Sequence, residues 1–313
     1  MVEERLFLVY YEMRRGEMVP NKRLLRSFIL LFSILAALSG FVISSPQDRG
    51  KTKNPEILDT ILEKTGDYCE KVKAIALFYV CKEKVEDERQ IFGKRNLLSF
   101  SMSALEDMKP RRIRKKAYIY DYQLIKKENE PKEKRILLEE DGRKKYEENV
   151  EFRPVKYSGR YMVYGPVGFL SKQWQRHFDY EIAGEDIIDN KRAIIIRSTP
   201  KMERQANYNF GRIWVDEKDF SILKIEYDPK SIKDYEDELV QSPIGDLRKR
   251  VKWTVHFGVE KNGVRFPSQQ LIREFYVNGA GEELLIEKII FQYEDYKFFI
   301  VETEVIYKKS SSQ

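Results

Sequence analysis

Histidine is nearly missing from this chain: His177 and His256 are the only two in 313 residues. Cysteine is as scarce, with Cys69 and Cys81 alone. Neither histidine has a Cys-x-x-Cys near it, which argues against a zinc site with the usual ligand spacing. Gly-x-Ser-x-Gly, His-Glu-x-x-His, a phosphate loop and a dinucleotide fingerprint are all absent, and with them the signatures of the enzyme classes they serve. Gly279 and Gly281 read as a hairpin turn. Glu139 and Glu140 are adjacent on an expected strand, so they point to opposite faces and cannot act together. Neither charge sign dominates: 57 Lys and Arg stand against 51 Asp and Glu, a net of +6. That is a mixed surface, not a nucleic-acid polycation. No repeat of fixed period and no low-complexity tract occurs. The residues therefore carry no catalytic signature, and the expectation is a non-enzymatic protein with no cofactor and no metal.

There is one long apolar run, Ser27 to Ile43, with Lys22, Arg23 and Arg26 before it and Ser44, Ser45 and Pro46 after. Positive charge, apolar core and small residues in that order are the layout of a secretory signal. At about 17 residues the run sits at the lower edge of what spans a ~30 Å hydrocarbon core, so a cleaved signal and an uncleaved inner-membrane anchor both fit. Leu38-Ser39-Gly40 is followed by Phe41, not Cys, so there is no lipobox. Residues 1–17 carry Glu3, Glu4, Glu12 and Glu17, unusual ahead of a signal, and the expected true start is Met18. The expected layout is a signal segment over 1–45, a polar linker over 46–53, one domain over 54–309 and a tail over 310–313. The expected location is the periplasm. In an oxidising compartment two cysteines are the number for one disulfide, Cys69–Cys81. It would close a loop of roughly a dozen residues and contribute about 3 kcal/mol. Two buried thiols are the other reading.

The domain opens with a helix. Asn54 suits the cap, Pro55 the first turn and Glu56 the positive end of the dipole. Ile57, Leu58, Ile61, Leu62, Thr65, Tyr68, Cys69 and Val72 recur at helical spacing. Strands dominate afterwards: 76–83, 113–125 with Tyr118, Tyr120, Tyr122 and Leu124 on one face, and 135–140. A short amphipathic helix is expected over 169–177. Hairpins follow, 180–188 with 193–199, 208–216 with 221–227, 250–260 with 264–277, then 283–293 and 298–307. Val251, Trp253, Val255 and Phe257 alternate with Lys252, Thr254, His256 and Gly258, as in an antiparallel sheet with one covered side. The aromatics, 19 Tyr and 18 Phe, favour strands and large apolar surfaces. The fold class is mainly β (α+β), a strongly curved meander of about nine to eleven antiparallel strands. Residues 228–249 read as a long loop or short helix.

The run Lys109-Pro110-Arg111-Arg112-Ile113-Arg114-Lys115-Lys116 is strongly basic. Arg111, Arg112, Arg114, Lys115 and Lys116 are candidates for contact with anionic lipid headgroups; a solvated strand entrance is the plainer reading.

Three stretches carry a family resemblance: Gly184–Lys201, Gly211–Asp216 with Leu223–Glu226, and Phe291–Phe298. Together they resemble the outer-membrane lipoprotein-sorting superfamily, the LolA- and LolB-like carriers, with the related RseB/MucB sensors and mycobacterial lipid-binding lipoproteins. The resemblance implies an unclosed β-barrel of about eleven antiparallel strands, with an N-terminal helix and short helices covering the concave face. It also implies lipid or lipoprotein acyl chains held in an apolar cavity between sheet and helices. Tyr79, Tyr118, Tyr120, Phe169, Leu170, Trp174, Trp214, Trp253 and Phe257 are the candidate wall residues; an ordinary packed core is the plainer reading of the same apolar faces. The implied partners are acyl chains and a membrane-embedded export complex or outer-membrane acceptor, for a monomeric carrier. An envelope-stress sensor or scaffold that binds a membrane partner protein is the alternative.

Overall fold

The computed structural model describes residues 11–14, 17–20, 55–75, 79–92, 109–127, 130–148, 150, 167–202, 209–232, 239–242 and 245–298. Two units divide the chain, Met1–Lys51 and Thr52–Gln313. In the first, β1 (Tyr11–Arg14) and β2 (Glu17–Pro20) form an antiparallel hairpin. The apolar run Ser27–Ile43, the linker, the Asn54 cap and the tail all lie outside the described residues. Among those described, no helix is long and apolar enough to cross a membrane.

The second unit is built on β-strands. After helix α1 (Pro55–Ile75) come β3 (Tyr79–Ile91), β4 (Arg112–Lys127), β5 (Glu130–Glu140) and β6 (Arg143–Glu148). Two short helices follow, α2 (Val167–Leu170) and α3 (Lys172–Gln175). The chain continues through β7 (Phe178–Ile188), β8 (Lys191–Pro200), β9 (Gly211–Asp216) and β10 (Ile222–Tyr227). Then come β11 (Leu239–Ser242), β12 (Gly245–His256), β13 (Val259–Lys261), β14 (Val264–Phe266), β15 (Gln269–Val277) and β16 (Glu283–Phe298). All but β13 and β14 join one twelve-stranded antiparallel sheet, in the order β6-β5-β4-β3-β16-β15-β12-β10-β9-β8-β7, with β11 paired to β12. The terminal strands β6 and β7 do not pair with each other, so the sheet is not closed into a barrel. The chain's last described strand lies beside the first strand of the unit, and the open seam falls between β6 and β7.

Turn chemistry sets the hairpins. Asp141-Gly142, Asp189-Asn190 and Asn262-Gly263 each place two successive residues at positive φ, between 48° and 77°. That left-handed pair matches the twist of tight hairpins and is tolerated by Asn, Asp and Gly. The expected single strand over 264–277 is divided: Pro267 has no N–H to give to a ladder, and β14 folds back on β13 before β15 enters the sheet. Residues 228–249 hold a short 3₁₀ turn, Pro229–Ser231, and the strand β11. The break expected after Tyr293 is a bulge at Asp295 (φ 58°) inside one continuous β16; residues 299–307 lie outside the described residues.

Alternation places the core on one face of the sheet, here the inner face. Val251, Trp253, Val255 and Phe257 are buried there with Tyr118, Tyr120, Tyr122 and Leu124. From α1, Ile61, Tyr68, Cys69 and Val72 pack into the same cluster. Ile57, expected on that helical face, is half exposed instead. Main-chain closeness also fixes sequence: a Cβ on Gly211 would sit 2.1 Å from the Glu226 carbonyl oxygen of the paired strand β10. Gly211→Ala is therefore expected to cost about 3 kcal/mol or more, read as a lower urea midpoint. Gly279→Ala, whose added carbon meets nothing within 4 Å, should stay within about 0.5 kcal/mol of the parent.

Candidate functional site

The inner face is the candidate site. Its strands present a tyrosine-rich wall: Tyr79 from β3, Tyr118, Tyr120 and Tyr122 from β4, and Tyr293 from β16. Tyr79 is the hub. Its ring centroid lies 5.9 Å from Tyr122, 5.6 Å from Phe266 and 5.2 Å from Tyr296. Burial pushes the hydroxyls of Tyr79, Tyr122, Tyr293 and Tyr296 well above the ordinary phenol range, so all stay neutral. Further along the sheet Trp253 lies 5.2 Å from Tyr227 and donates from Nε1 to Gln270 Oε1 at 2.6 Å.

One charged group is set into this wall. Arg135 of β5 donates to both Glu83 oxygens, from Nε at 2.6 Å and Nη2 at 3.1 Å. From Nη1 it reaches Glu133 Oε2 at 3.0 Å. Glu133 Oε1 also accepts from the Tyr122 hydroxyl at 2.7 Å, and the guanidinium lies 4.6 Å over the Tyr122 ring. The Glu83 side chain is fully buried. Burial opposes the charge on Arg135, but the Glu83 and Glu133 carboxylates outweigh it and hold its pKa well above the ordinary value.

Helix α1 is fastened over the inner face by polar contacts as well as by packing. The Arg265 backbone N–H of β14 donates to the Tyr68 hydroxyl at 2.9 Å. Gln175 Nε2 donates to the carbonyl oxygens of Leu62 and Leu170 at 2.6 and 2.7 Å. Lys172 pairs with Asp67 at 2.7 Å. Gly66 lets α3 approach, since a Cβ there would meet Lys172 Cγ at 2.8 Å.

The structure gathers six of the nine candidate wall residues. Tyr79, Tyr118, Tyr120, Leu170, Trp253 and Phe257 lie in one buried cluster. Trp174 is half-buried beside His177, ring centroids 5.4 Å apart. Phe169 belongs to α2, and its side chain lies outside what the structure describes. Trp214 lies on the outer face. Its strand neighbours Ile213 and Val215 take the inner one, so period-two alternation turns the indole away. There Trp214 packs with Ala193 and Leu223, donates to Asp186 Oδ2 at 2.9 Å and lies 4.0 Å from Lys224 Nζ.

The expected disulfide is not formed: Cys69 and Cys81 carry separate buried thiols. They face different neighbours, Tyr180 near Cys69 and Tyr296 with Glu83 near Cys81, and burial pushes both thiols up.

Sequence reasoning passed over Tyr122, Tyr293 and Phe291 as wall residues and missed the Glu83–Arg135–Glu133 group. Tyr122 was readable as the next step of the Tyr118–Tyr120 alternation. The ion group joins residues some fifty positions apart, so no local pattern marks it. Among the described residues no three His, Cys, Asp or Glu side chains converge as metal ligands.

Fold and site define an open antiparallel sheet whose aromatic inner face is covered by one long helix and two short ones. Solved structures similar to this chain include a LolA superfamily protein from Nitrosomonas europaea, at 12% identity, covering 78% of this chain and 94% of that one, TM-score 0.31. A DUF1329 family protein from Desulfovibrio piger matches at 10% identity over 78% and 94%, TM-score 0.34. LprF from Mycobacterium bovis matches at 10% over 81% and 98%, TM-score 0.23. A family model described as "Uncharacterized protein" matches residues 167–236. No curated protein matches the sequence significantly.

Two measurements check the site. Arg135→Met leaves two carboxylates without their cation and is expected to cost about 3–5 kcal/mol; the double change Glu83→Leu with Arg135→Met should recover much of it. In the folded protein neither thiol should react with Ellman's reagent, and both should react in denaturant without added reductant. A single disulfide released only by reductant would contradict the second.

Proposed function

We propose that the protein is a non-enzymatic carrier or binding protein for the acyl chains of lipids or lipoproteins, working in the periplasm. The observation that supports this reading is the inner face itself. It is a largely apolar and aromatic layer spanning β3, β4, β16, β15, β12 and β10, interrupted by the buried Glu83, Gln270, Glu274 and Glu287, with its tyrosine hydroxyls held neutral and a helix laid over it. Such a surface suits a chain of methylenes, whose burial contributes about 0.8 kcal/mol per CH₂ without any specific polar contact. The wall of the proposed site is Tyr79, Tyr118, Tyr120, Leu170, Trp253 and Phe257. The apolar run with its basic flank supplies the address, and the resemblance of the hairpin stretches to lipoprotein-sorting carriers agrees with the ligand class. An export complex in the membrane or an outer-membrane acceptor would deliver or receive the chain. Among the described residues β6 and β7 each pair with a strand on one side only, which favours a second reading, a sensor that adds a partner's strand to its sheet; co-purification of one stoichiometric membrane partner in place of lipid would select it.

Titration of the purified full chain with a fluorescent polyunsaturated fatty acid should give saturable binding, displaced by oleate. Tyr118→Ala removes a ring stacked 6.0 Å from Tyr120 at the wall and should weaken binding about three- to tenfold with the fold retained. Non-saturable binding, or saturable binding indifferent to the wall, would defeat the reading.

A further inference from the structure

At one end of the sheet β3 and β4 outrun their neighbour. β5 turns back at Asp141-Gly142, level with Ala117 and Tyr118. β4 extends further, to Arg112, which pairs with Ile91 of β3. The result is a ribbon beyond the β5–β6 turn, flanked by β16 as far as Arg89 and two-stranded at Gln90–Ile91 with Ile113–Arg112. Its surface is unusual in two respects. Ile91 and Ile113 are 40% and 46% exposed, and they fall on opposite faces of the ribbon, since Ile91 shares a face with its partner Arg112 and Ile113 takes the other. Around them stand Arg111, Arg112 and Arg114, all exposed, with no carboxylate within ion-pair distance among the described residues. Lys115, also exposed, is joined to Glu88 at 2.9 Å.

Exposed isoleucine on both faces of one tip, ringed by guanidinium groups that have no ion pair among the described residues, matches a surface that is anionic outside and apolar just beneath. A protein partner bound along one face would engage one isoleucine and leave the other in water. End-on contact uses both. Arginine stems can lie along acyl chains while their heads stay at the phosphates. We propose that this ribbon tip docks on a membrane surface rich in anionic phospholipid, with Ile91 and Ile113 entering the headgroup–acyl boundary and Arg111, Arg112 and Arg114 bound to phosphates. Acyl binding on the inner face is a separate matter, and either property can hold without the other.

The test is co-sedimentation of the full chain with vesicles of phosphatidylcholine alone and of equimolar phosphatidylcholine and phosphatidylglycerol. Stronger binding to the anionic vesicles, weakened by salt, is expected. Each basic group near such a surface is worth about fivefold in partitioning, so Arg111→Gln, Arg112→Gln and Arg114→Gln together should lose on the order of a hundredfold on anionic vesicles. They should leave binding to phosphatidylcholine unchanged. Ile91→Ser with Ile113→Ser should weaken binding several-fold and make what remains more sensitive to salt. Arg192→Gln, at the start of β8 and already paired with Glu185 and Glu217, is the control and should change nothing. Thermal melting of each variant confirms that the ribbon change has not unfolded the sheet. Equal binding to both vesicle types would overturn the proposal. So would full retention by the triple variant, or loss of binding to soluble heparin equal to the loss on vesicles with no effect of the isoleucine changes.

Discussion

The pairing of β3 with β16 is the contact on which the sheet depends. Tyr79 lies opposite Phe298 and Arg89 opposite Glu287, across roughly two hundred residues of chain. Without that ladder the molecule is two separate meanders, β3–β6 and β7–β16, each with a bare edge where the other should be. Both halves of the tyrosine wall meet across it: Tyr79 and Val85 on one side, Phe291 and Tyr293 on the other. Ion pairs cross the same line, Lys84 with Glu294 at 2.5 Å and Lys82 with Asp295 at 3.0 Å. They are exposed and individually weak, but they oppose a slipped alignment. Closing so long a loop adds only a modest entropy cost, because that cost grows with the logarithm of length. The penalty falls on speed, since non-local strand pairing is slow to find.

The Glu83–Arg135–Glu133 group does for β5 what that ladder does for β16. Removing two carboxylates and a guanidinium from water is costly, and an apolar trio of equal volume could be as stable. What the ions contribute is alignment. A one-residue slip of β5 would turn Arg135 to the outer face and leave Glu83 buried without its cation. The network therefore fixes the edge of the sheet, where β6, exposed throughout, offers little packing to do so.

Local chemistry was readable where it was local. The Asn, Asp and Gly turn pairs announced the hairpins, alternation announced the inner face of β4 and β12, and helical spacing announced α1. Trp214 shows where that reasoning stops. Gly211-Arg212-Ile213-Trp214-Val215-Asp216 is buried at all but one position, because β9 is covered on both faces, and a strand buried on both faces carries no alternation from which to assign a side. The cysteine count suggested a bond that the fold keeps apart by seating one thiol under the helix and the other in the tyrosine wall. The partnership of β3 with β16, and of Glu83 with Arg135, rests on residues that share no local pattern, so only the assembled sheet reveals it. The wall itself was half legible: Tyr118 and Tyr120 were picked out by spacing, and Phe291 and Tyr293, though inside the expected strand 283–293, were not, because their place beside Tyr79 and Val85 depends on the non-local β3–β16 pairing.

The open seam has a topological consequence. β6 and β7, its two banks, follow one another in the chain, whereas the beginning of β3 and the end of β16 lie side by side at Tyr79 and Phe298. Joining the chain from β16 back into α1 and opening it between β6 and β7 would cut no strand ladder. In the resulting circular order the principal strands would run β7, β8, β9, β10, β12, β15, β16, β3, β4, β5, β6, the same sequence along the chain as across the sheet. The native chain is thus a simple up-and-down meander cut at its middle strand pair and rejoined at its edges by the β6-to-β7 connection, which carries α2 and α3.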